Sequence, residues 1–244
     1  MFSRPMSLPA MPLAPGWGSG RLHLVDDPLN WSYGGPEPEV IALPSLWWPL
    51  PQPLPPRARA LLLLGPATAS ERTLSVPVLG GIDVDILREG ERVEVNGSKG
   101  TFSIDGVEEV AVVTVILERP DGRILLLERS ERVGSFRGRW AGVSGFLEDP
   151  TPLAQAYREV LEEVGLDPSQ LTLAASGAPV LARDGPRVYI VHPFRFHVAT
   201  EEVRLDWESA RFEWVDPEEI RRRSTVPKLD RVWEAVRPAH RPKP

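Results

Sequence analysis

Arg158-Glu159-Val160-Leu161-Glu162-Glu163-Val164-Gly165-Leu166 is the stretch on which the fold turns. It closes a segment, Pro152–Val164, that reads as a helix. Thr151 suits the N-cap, Pro152 fits the first-turn position where its missing N–H does no harm, and Gly165 stands just past the end. Leu153, Ala156, Val160 and Val164 recur at three- and four-residue spacing and form one apolar stripe. Glu159, Glu162 and Glu163 are expected to fall away from that stripe. Glu159 and Glu163 lie one turn apart with Glu162 beside them, so three like charges crowd one patch, which destabilises a helix unless a cation neutralises them. A solvated acidic face would show the same spacing, and on the helix alone both readings stand.

Upstream, Val110–Leu117 is a continuous apolar, β-branched run, Pro120-Asp121-Gly122 is a turn tripeptide and Ile124–Leu127 is a second apolar run. Together they predict a hairpin with at least one strand buried on both faces. An Arg/Gly/Ser-rich loop, Arg129–Arg139, separates this hairpin from Trp140 and the helix. Downstream, strands are expected at Arg187–Val198 and Ala210–Val215, and short helices at Pro217–Arg223 and Leu229–Val236.

The first half has another character. Residues 1–20, rich in Pro, Gly, Ser and Met, show no period and are expected to form a flexible arm. Five prolines between Pro49 and Pro56 forbid a helix and argue for a polyproline-like connector in Trp47–Arg57. Strand-like pieces at Ala58–Leu64, Ser75–Leu79, Arg92–Val95 and Gly100–Ile104, separated by Gly, Asn and Asp, make this half β-rich. The expected division is an arm over 1–20, a β-rich domain over 21–106, a second domain over 107–237 and a tail over 238–244. Within the β-rich part, Gly80-Gly81-Ile82-Asp83, Gly90–Gly97 and Gly100-Thr101-Phe102 resemble the closing strands of swivelling β/β/α domains of phosphotransfer enzymes. Those enzymes work through a histidine, and none occurs between His23 and His192, so a binding or structural role is expected there.

Gly145-Phe146-Leu147-Glu148 followed by Arg158–Leu166 resembles the Nudix box, whose second half reads R-E-U-x-E-E-x-G-U with U apolar; every position of that half matches. The order of two strands, loop and helix agrees. The resemblance implies an α+β fold built as an α-β-α Nudix sandwich with a mixed sheet, preceded by the β-rich domain. It implies Mg²⁺- or Mn²⁺-dependent hydrolysis of a phosphoanhydride in a nucleoside diphosphate linked to another moiety. On this resemblance Glu159, Glu162 and Glu163 are metal ligands, Glu148 is a further ligand or general base, and Arg158 orients a glutamate through a bidentate ion pair. Arg129, Arg139, Trp140 and Gly145 are the candidate substrate contacts, the arginines for phosphate and Trp140, with Phe194 and Phe196, for a base.

The box departs from its pattern in one place. Pro150 stands where the first half has glutamate, and the Glu148–Arg158 loop is one residue short. A site missing one carboxylate should hold its metal more weakly, which keeps a second reading open, a catalytically weakened Nudix-fold module that binds a nucleotide or a partner. Gly138–Gly145, Val191-His192-Pro193-Phe194, Leu205-Asp206-Trp207-Glu208 and Thr225–Leu229 resemble a narrower subgroup with a similarly altered box, Nudix domains that accompany an initiation-factor-2B-like domain in some archaeal proteins.

Composition sets the outer bounds. Acidic residues outnumber basic ones 34 to 28, for a net charge of −6, so there is no global basic field for nucleic acid. With no cysteine, disulfides, thiolate zinc sites and cysteine nucleophiles are excluded, and with them the chemistry of isopentenyl-diphosphate isomerase, whose fold and Trp-rich entry to the box this sequence resembles. Apolar runs such as Ala60–Leu64 are far too short to span a bilayer. The expectation is a cytoplasmic protein with a nucleotide-derived small-molecule substrate, no membrane partner and room for a homodimer.

Overall fold

The protein, described by a computed structural model over residues 7–27, 37–47, 54–67 and 74–238, separates into two compact units. The first comprises residues 1–109 with the turn 183–188, and the second residues 110–182 and 189–244.

In the first unit, eight strands form one sheet: β1 (Leu8–Pro9), β2 (Met11–Ala14), β3 (Trp17–Leu24), β4 (Glu39–Pro44), β5 (Ala58–Leu64), β6 (Val78–Ile82), β7 (Arg92–Asn96) and β8 (Thr101–Ile104). Their order is β1-β8-β7-β3-β4-β5-β6-β2. The outermost strands β1 and β2 are separated by the single residue Ala10, so one stretch of chain pairs with β8 at one edge and with β6 at the other and closes the sheet on itself. β4 and β5 are central, parallel and nearly all apolar, as strands covered on both faces must be. The flexible arm expected over residues 1–20 is therefore corrected. Residues 8–14 and 17–20 are strand, because backbone pairing to β6, β7 and β8 supplies the order that their Pro- and Gly-rich side chains do not announce. Residues 1–6 lie outside the described residues, as do 48–53 of the expected polyproline connector and 239–244 of the tail. Among its described residues the unit holds only 3-10 turns at Ser45–Trp47 and Val84–Ile86 besides strands, so the helical layer of a swivelling β/β/α domain does not occur among them.

The second unit is built on β9 (Glu108–Glu118) and β10 (Ile124–Arg129), joined by the turn in which Gly122 takes φ 82°. Around them lie β11 (Trp140–Ala141), β12 (Val143–Phe146), β13 (Leu171–Ser176), β14 (Val180–Asp184), β15 (Arg187–Val198) and β16 (Ser209–Val215), with a parallel bridge between Trp140 and Thr225. The path β11-β10-β9-β15-β13 is joined by β12 on β9, β14 on β15 and β16 on β10. Alternation along β9 and β10 divides the core. Val113, Val115, Leu117, Leu125 and Leu127 pack with Ala156, Val160 and Val164 of α1 (Pro152–Val164), whereas Ile116, Ile124 and Leu126 pack with Leu229, Val232 and Val236 of α2 (Leu229–Val236). One helix on each face gives the α-β-α sandwich, and explains why the central runs of the two strands, Val110–Leu117 and Ile124–Leu127, are apolar at successive rather than alternate positions. Helix α1 has the expected ends: the Thr151 side chain accepts from Ala154 N, and Gly165, at φ 70°, donates its N–H to Leu161 O. Residues 217–221 form a 3-10 turn where a short helix is expected. Among the described residues no helix is long and apolar enough to cross a membrane.

Candidate active site

The carboxylates of α1 are not equivalent. Glu162 is exposed, Glu159 is half-buried and Glu163 is buried at 7% exposure, so the expectation that all three fall away from the packed face is corrected for Glu163. The cause is strand β12, which runs alongside that flank of the helix. Ser144 N donates to Glu163 Oε1 at 2.9 Å, and a Cβ placed on Gly145 would lie 1.9 Å from Glu159 Oε1. Glycine at 145 is thus what lets strand and helix approach with a carboxylate between them. Burial pushes the Glu163 carboxyl well above the usual carboxylate range; the Ser144 N–H opposes this, and Glu159, Glu208 and Asp206 add like charge. Glu159 is raised in the same way, by burial against the bond from Gln155, with Glu162 and Glu208 adding to it and Arg158 opposing.

Gln155 was not foreseen, and it is completely buried. Its Oε1 accepts from Glu148 N, Asp149 N and Arg158 Nη2, each at 2.9 Å, while its Nε2 donates to Glu159 Oε1 at 2.5 Å. Three donors on the oxygen fix which way the amide faces, and so fix a donor on Glu159. Arg158 also clamps the loop. Its Nη2 donates to Glu148 Oε2 at 3.0 Å, and its Nε lies 3.1 Å from Asp149 Oδ2 as an ion pair without the alignment of a hydrogen bond. The bidentate pair expected between Arg158 and a glutamate is a single bond to Glu148, with Asp149 as the second acidic partner. The loop that is one residue short is held to the helix by one amide and one guanidinium.

A second source of carboxylates is the segment before β16. Arg204 N donates to Val164 O at 3.0 Å and Asp206 N to Glu163 O at 3.2 Å, so the free carbonyls near the end of α1 bind this segment. Glu208 N then donates to Asp206 Oδ1 at 2.9 Å. Burial raises the Glu208 carboxyl, Asp206 adds to the effect and Arg129 opposes it. Nothing in the local sequence separates Asp206-Trp207-Glu208 from an ordinary acidic turn; the hydrogen bonds to α1 bring it to the helix glutamates.

The expected substrate contacts are scattered. Arg129 Nε donates to Ser135 O at 3.1 Å, and its charge reaches Glu208. Arg139 is exposed and donates to Thr225 O at 3.1 Å. Trp140 is 7% exposed, with the guanidinium carbons of Arg211 and Arg223 at 5.0 and 4.5 Å from its ring centroid, so the stacking face expected for a base is already covered. Phe194 and Phe196 belong to the core beneath α1.

The donors gathered here are carboxylate oxygens, the chemistry of a hard divalent cation. Glu163 has only like charges among the groups that shift it. Among the described residues no three Asp, Glu or His side chains converge closely enough to cage an ion, so the donor set fits in kind, with its oxygens spread apart.

The NUDIX domain family model matches residues 108–235, just over half of the chain. The chain belongs to the Nudix family. Similar solved structures include a MutT protein from Methanosarcina mazei Go1, at 24% identity over 54% of this chain and 94% of that one, with a TM-score of 0.46. Others are an Ap4A hydrolase binary complex from C. elegans (18% identity, 52% and 93% covered, TM-score 0.44) and the NUDIX domain of Shewanella oneidensis NrtR complexed with ADP ribose (15%, 53% and 87%, 0.45). No curated protein matches the chain significantly.

Proposed function

We propose that the Nudix domain hydrolyses a phosphoanhydride in a nucleoside diphosphate linked to another moiety, with Mg²⁺ or Mn²⁺. The observation that carries this reading is Glu163, a buried carboxylate whose shifting charges, Glu159 on its own helix and Glu208 and Asp206 from a separate segment, are all of its own sign. A divalent cation bound there would neutralise phosphate oxygens and lower the pKa of a coordinated water. Glu159 and Glu163 are the principal oxygen donors, with Glu162 and Glu148, both solvent-facing, as outer ones. Gln155 and Arg158 orient this set, the first by its bond to Glu159 and the second through the loop carboxylates. Glu208, its carboxyl raised by burial, is the candidate to take a proton from the attacking water. Arg129, whose charge acts on Glu208, and the exposed Arg139 are the candidates to meet substrate phosphate. The shortened loop with Pro150 aligns the domain with the subgroup that accompanies initiation-factor-2B-like domains, and the composition suits a cytoplasmic enzyme.

The test is a screen of ADP-ribose, nucleoside diphosphate sugars, dinucleoside polyphosphates and nucleoside triphosphates with each metal, products being resolved by ion-exchange chromatography. Cleavage of at least one class, lost in Glu163→Gln, is expected. The second reading, a binding module without turnover, is favoured by Pro150 at the position of the box glutamate; tight binding of ADP-ribose with no product after prolonged incubation in Mn²⁺ would establish it instead.

A further inference from the structure

Trp207 is 53% exposed, yet the backbone that carries it is held from several sides. The buried Ser130 donates from Oγ to Trp207 O at 2.9 Å and from N to Glu208 O at 2.7 Å. Arg132 Nη2 donates to the same Trp207 carbonyl at 3.2 Å, and its guanidinium carbon lies 5.7 Å from the indole centroid. One residue back, Asp206 N is bonded to Glu163 O. An indole fixed in place with more than half its surface in water contributes little to the core. Its neighbours along the chain, Asp206 and Glu208, are the carboxylates whose charge reaches Glu163, and consecutive Cα atoms are only about 3.8 Å apart.

The surroundings indicate what this ring is for. The other large exposed apolar side chains of the second unit, Phe146, Leu161 and Leu173, sit on β12, α1 and β13, whereas Trp207 stands between two acids and beside an arginine. An indole set between two acids along the chain and beside an arginine is not in the apolar setting of a protein interface. A flat heteroaromatic ring needs only one preset π-face and tolerates polar neighbours. The aromatics expected to stack a base, Trp140 and the Phe194–Phe196 pair, are covered or buried, so their faces are not offered to a ligand.

We infer that Trp207 is the nucleobase platform of the site. The base of a nucleoside diphosphate derivative stacks on its exposed indole, Arg132 braces the loop and ring, and the diphosphate extends from there to the carboxylates of α1 and Glu208. This rests on the pyrophosphohydrolase reading and adds to it the place where the base is held. Stacking is tolerant of base identity, so this subsite selects for a nucleoside over a bare sugar phosphate rather than for one base.

The experiment measures binding by isothermal titration with Ca²⁺ in place of Mg²⁺, using ADP-ribose, UDP-glucose and, as the probe without a base, ribose 5-diphosphate. Trp207→Ala and Trp207→Leu should weaken both nucleotides roughly 5- to 150-fold, the range that loss of one stacked base gives, while ribose 5-diphosphate changes less than about twofold. Trp207→Phe should recover most of the affinity. The leucine variant keeps apolar bulk, so it separates loss of stacking from loss of loop packing. Wild-type affinity for the nucleotides in the Ala and Leu variants, or equal loss for the baseless probe, overturns the base site and leaves the hydrolase reading standing. If the wild-type protein binds no nucleoside diphosphate derivative at all, both fall together.

Discussion

Replacing Gln155 with leucine is expected to loosen the helix α1 junction. The side chain is fully buried and makes four hydrogen bonds, and leucine of similar size fills the space while making none. Arg158 keeps Glu148 as a partner, so the uncompensated donors are the backbone N–H groups of Glu148 and Asp149, while Glu159 Oε1 loses its donor. A buried donor left without an acceptor costs about 1–3 kcal/mol. Both amides are only part-buried and belong to a loop that can relax toward water, so the low end applies to each, a total of about 2–3 kcal/mol. The assay is native-state hydrogen exchange on the full chain, read on peptides covering 143–165, where slow exchange should accelerate by roughly 30- to 150-fold. Gln155→Glu separates the two halves of the argument. It preserves an acceptor for the loop amides and turns a second carboxylate toward Glu159, so loop protection should survive while metal affinity falls. Unchanged exchange in Gln155→Leu, within about 0.5 kcal/mol, would refute the reasoning, since surface-like substitutions stay inside that range.

Glu163→Gln should be more stable than the parent at neutral pH in metal-free buffer. A carboxyl whose folded pKa is raised contributes stability that is fully present below its unfolded value near 4.5 and lost as pH rises through the folded value, so the gap should close on acidification; equal urea midpoints at pH 7 would contradict the burial argument. Gly145→Ala puts a methyl within 1.9 Å of the Glu159 carboxylate, and turnover should fall at least tenfold with little change in circular dichroism; full activity would mean that Glu159 need not lie against β12. Pro150→Glu combined with one residue inserted after Glu148 should lower the Mg²⁺ concentration for half-maximal rate. If the unmodified protein already saturates at low micromolar Mg²⁺, the short loop is not deficient.

The parts of this molecule that were readable in its sequence are those set by local chemistry. Thr151, Pro152 and Gly165 act within one turn of where they stand, and they mark both ends of α1. β9 and β10 are readable because strands covered on both faces carry nearly unbroken apolar runs, Val110–Leu117 and Ile124–Leu127. What was not readable depends on distant partners. Residues 8–14 look like an arm because their Pro-rich composition carries no period; they are strand because β6 and β8 supply the hydrogen bonds. Glu163 sits next to Val164, about 100° away round the helix, close enough to the packed stripe that one neighbouring strand can bury it. That strand reaches it only because residue 145 has no side chain. Gln155 reads as an ordinary polar position until the short loop folds over it.

The same residues explain why local rules fail at this spot. An apolar residue at 163 would remove a buried charge, relieve the repulsion from Glu159, Glu208 and Asp206, and stabilise the fold. A small residue at 155 would suit a helix with no loop to anchor. Conflicts between local preference and the folded structure concentrate where a site imposes its own requirements. Here they lie within one patch formed by α1, β12 and the 204–208 segment, and all involve carboxylates brought together against their mutual repulsion. Gln155 and Arg158 reduce the strain by offering donors from the helix, and Ser144 does so from the strand, yet none of the three brings a cation into the groups that shift Glu163. A ligand that carries positive charge to that point relieves the largest remaining conflict, so metal binding and stability should rise together in this domain.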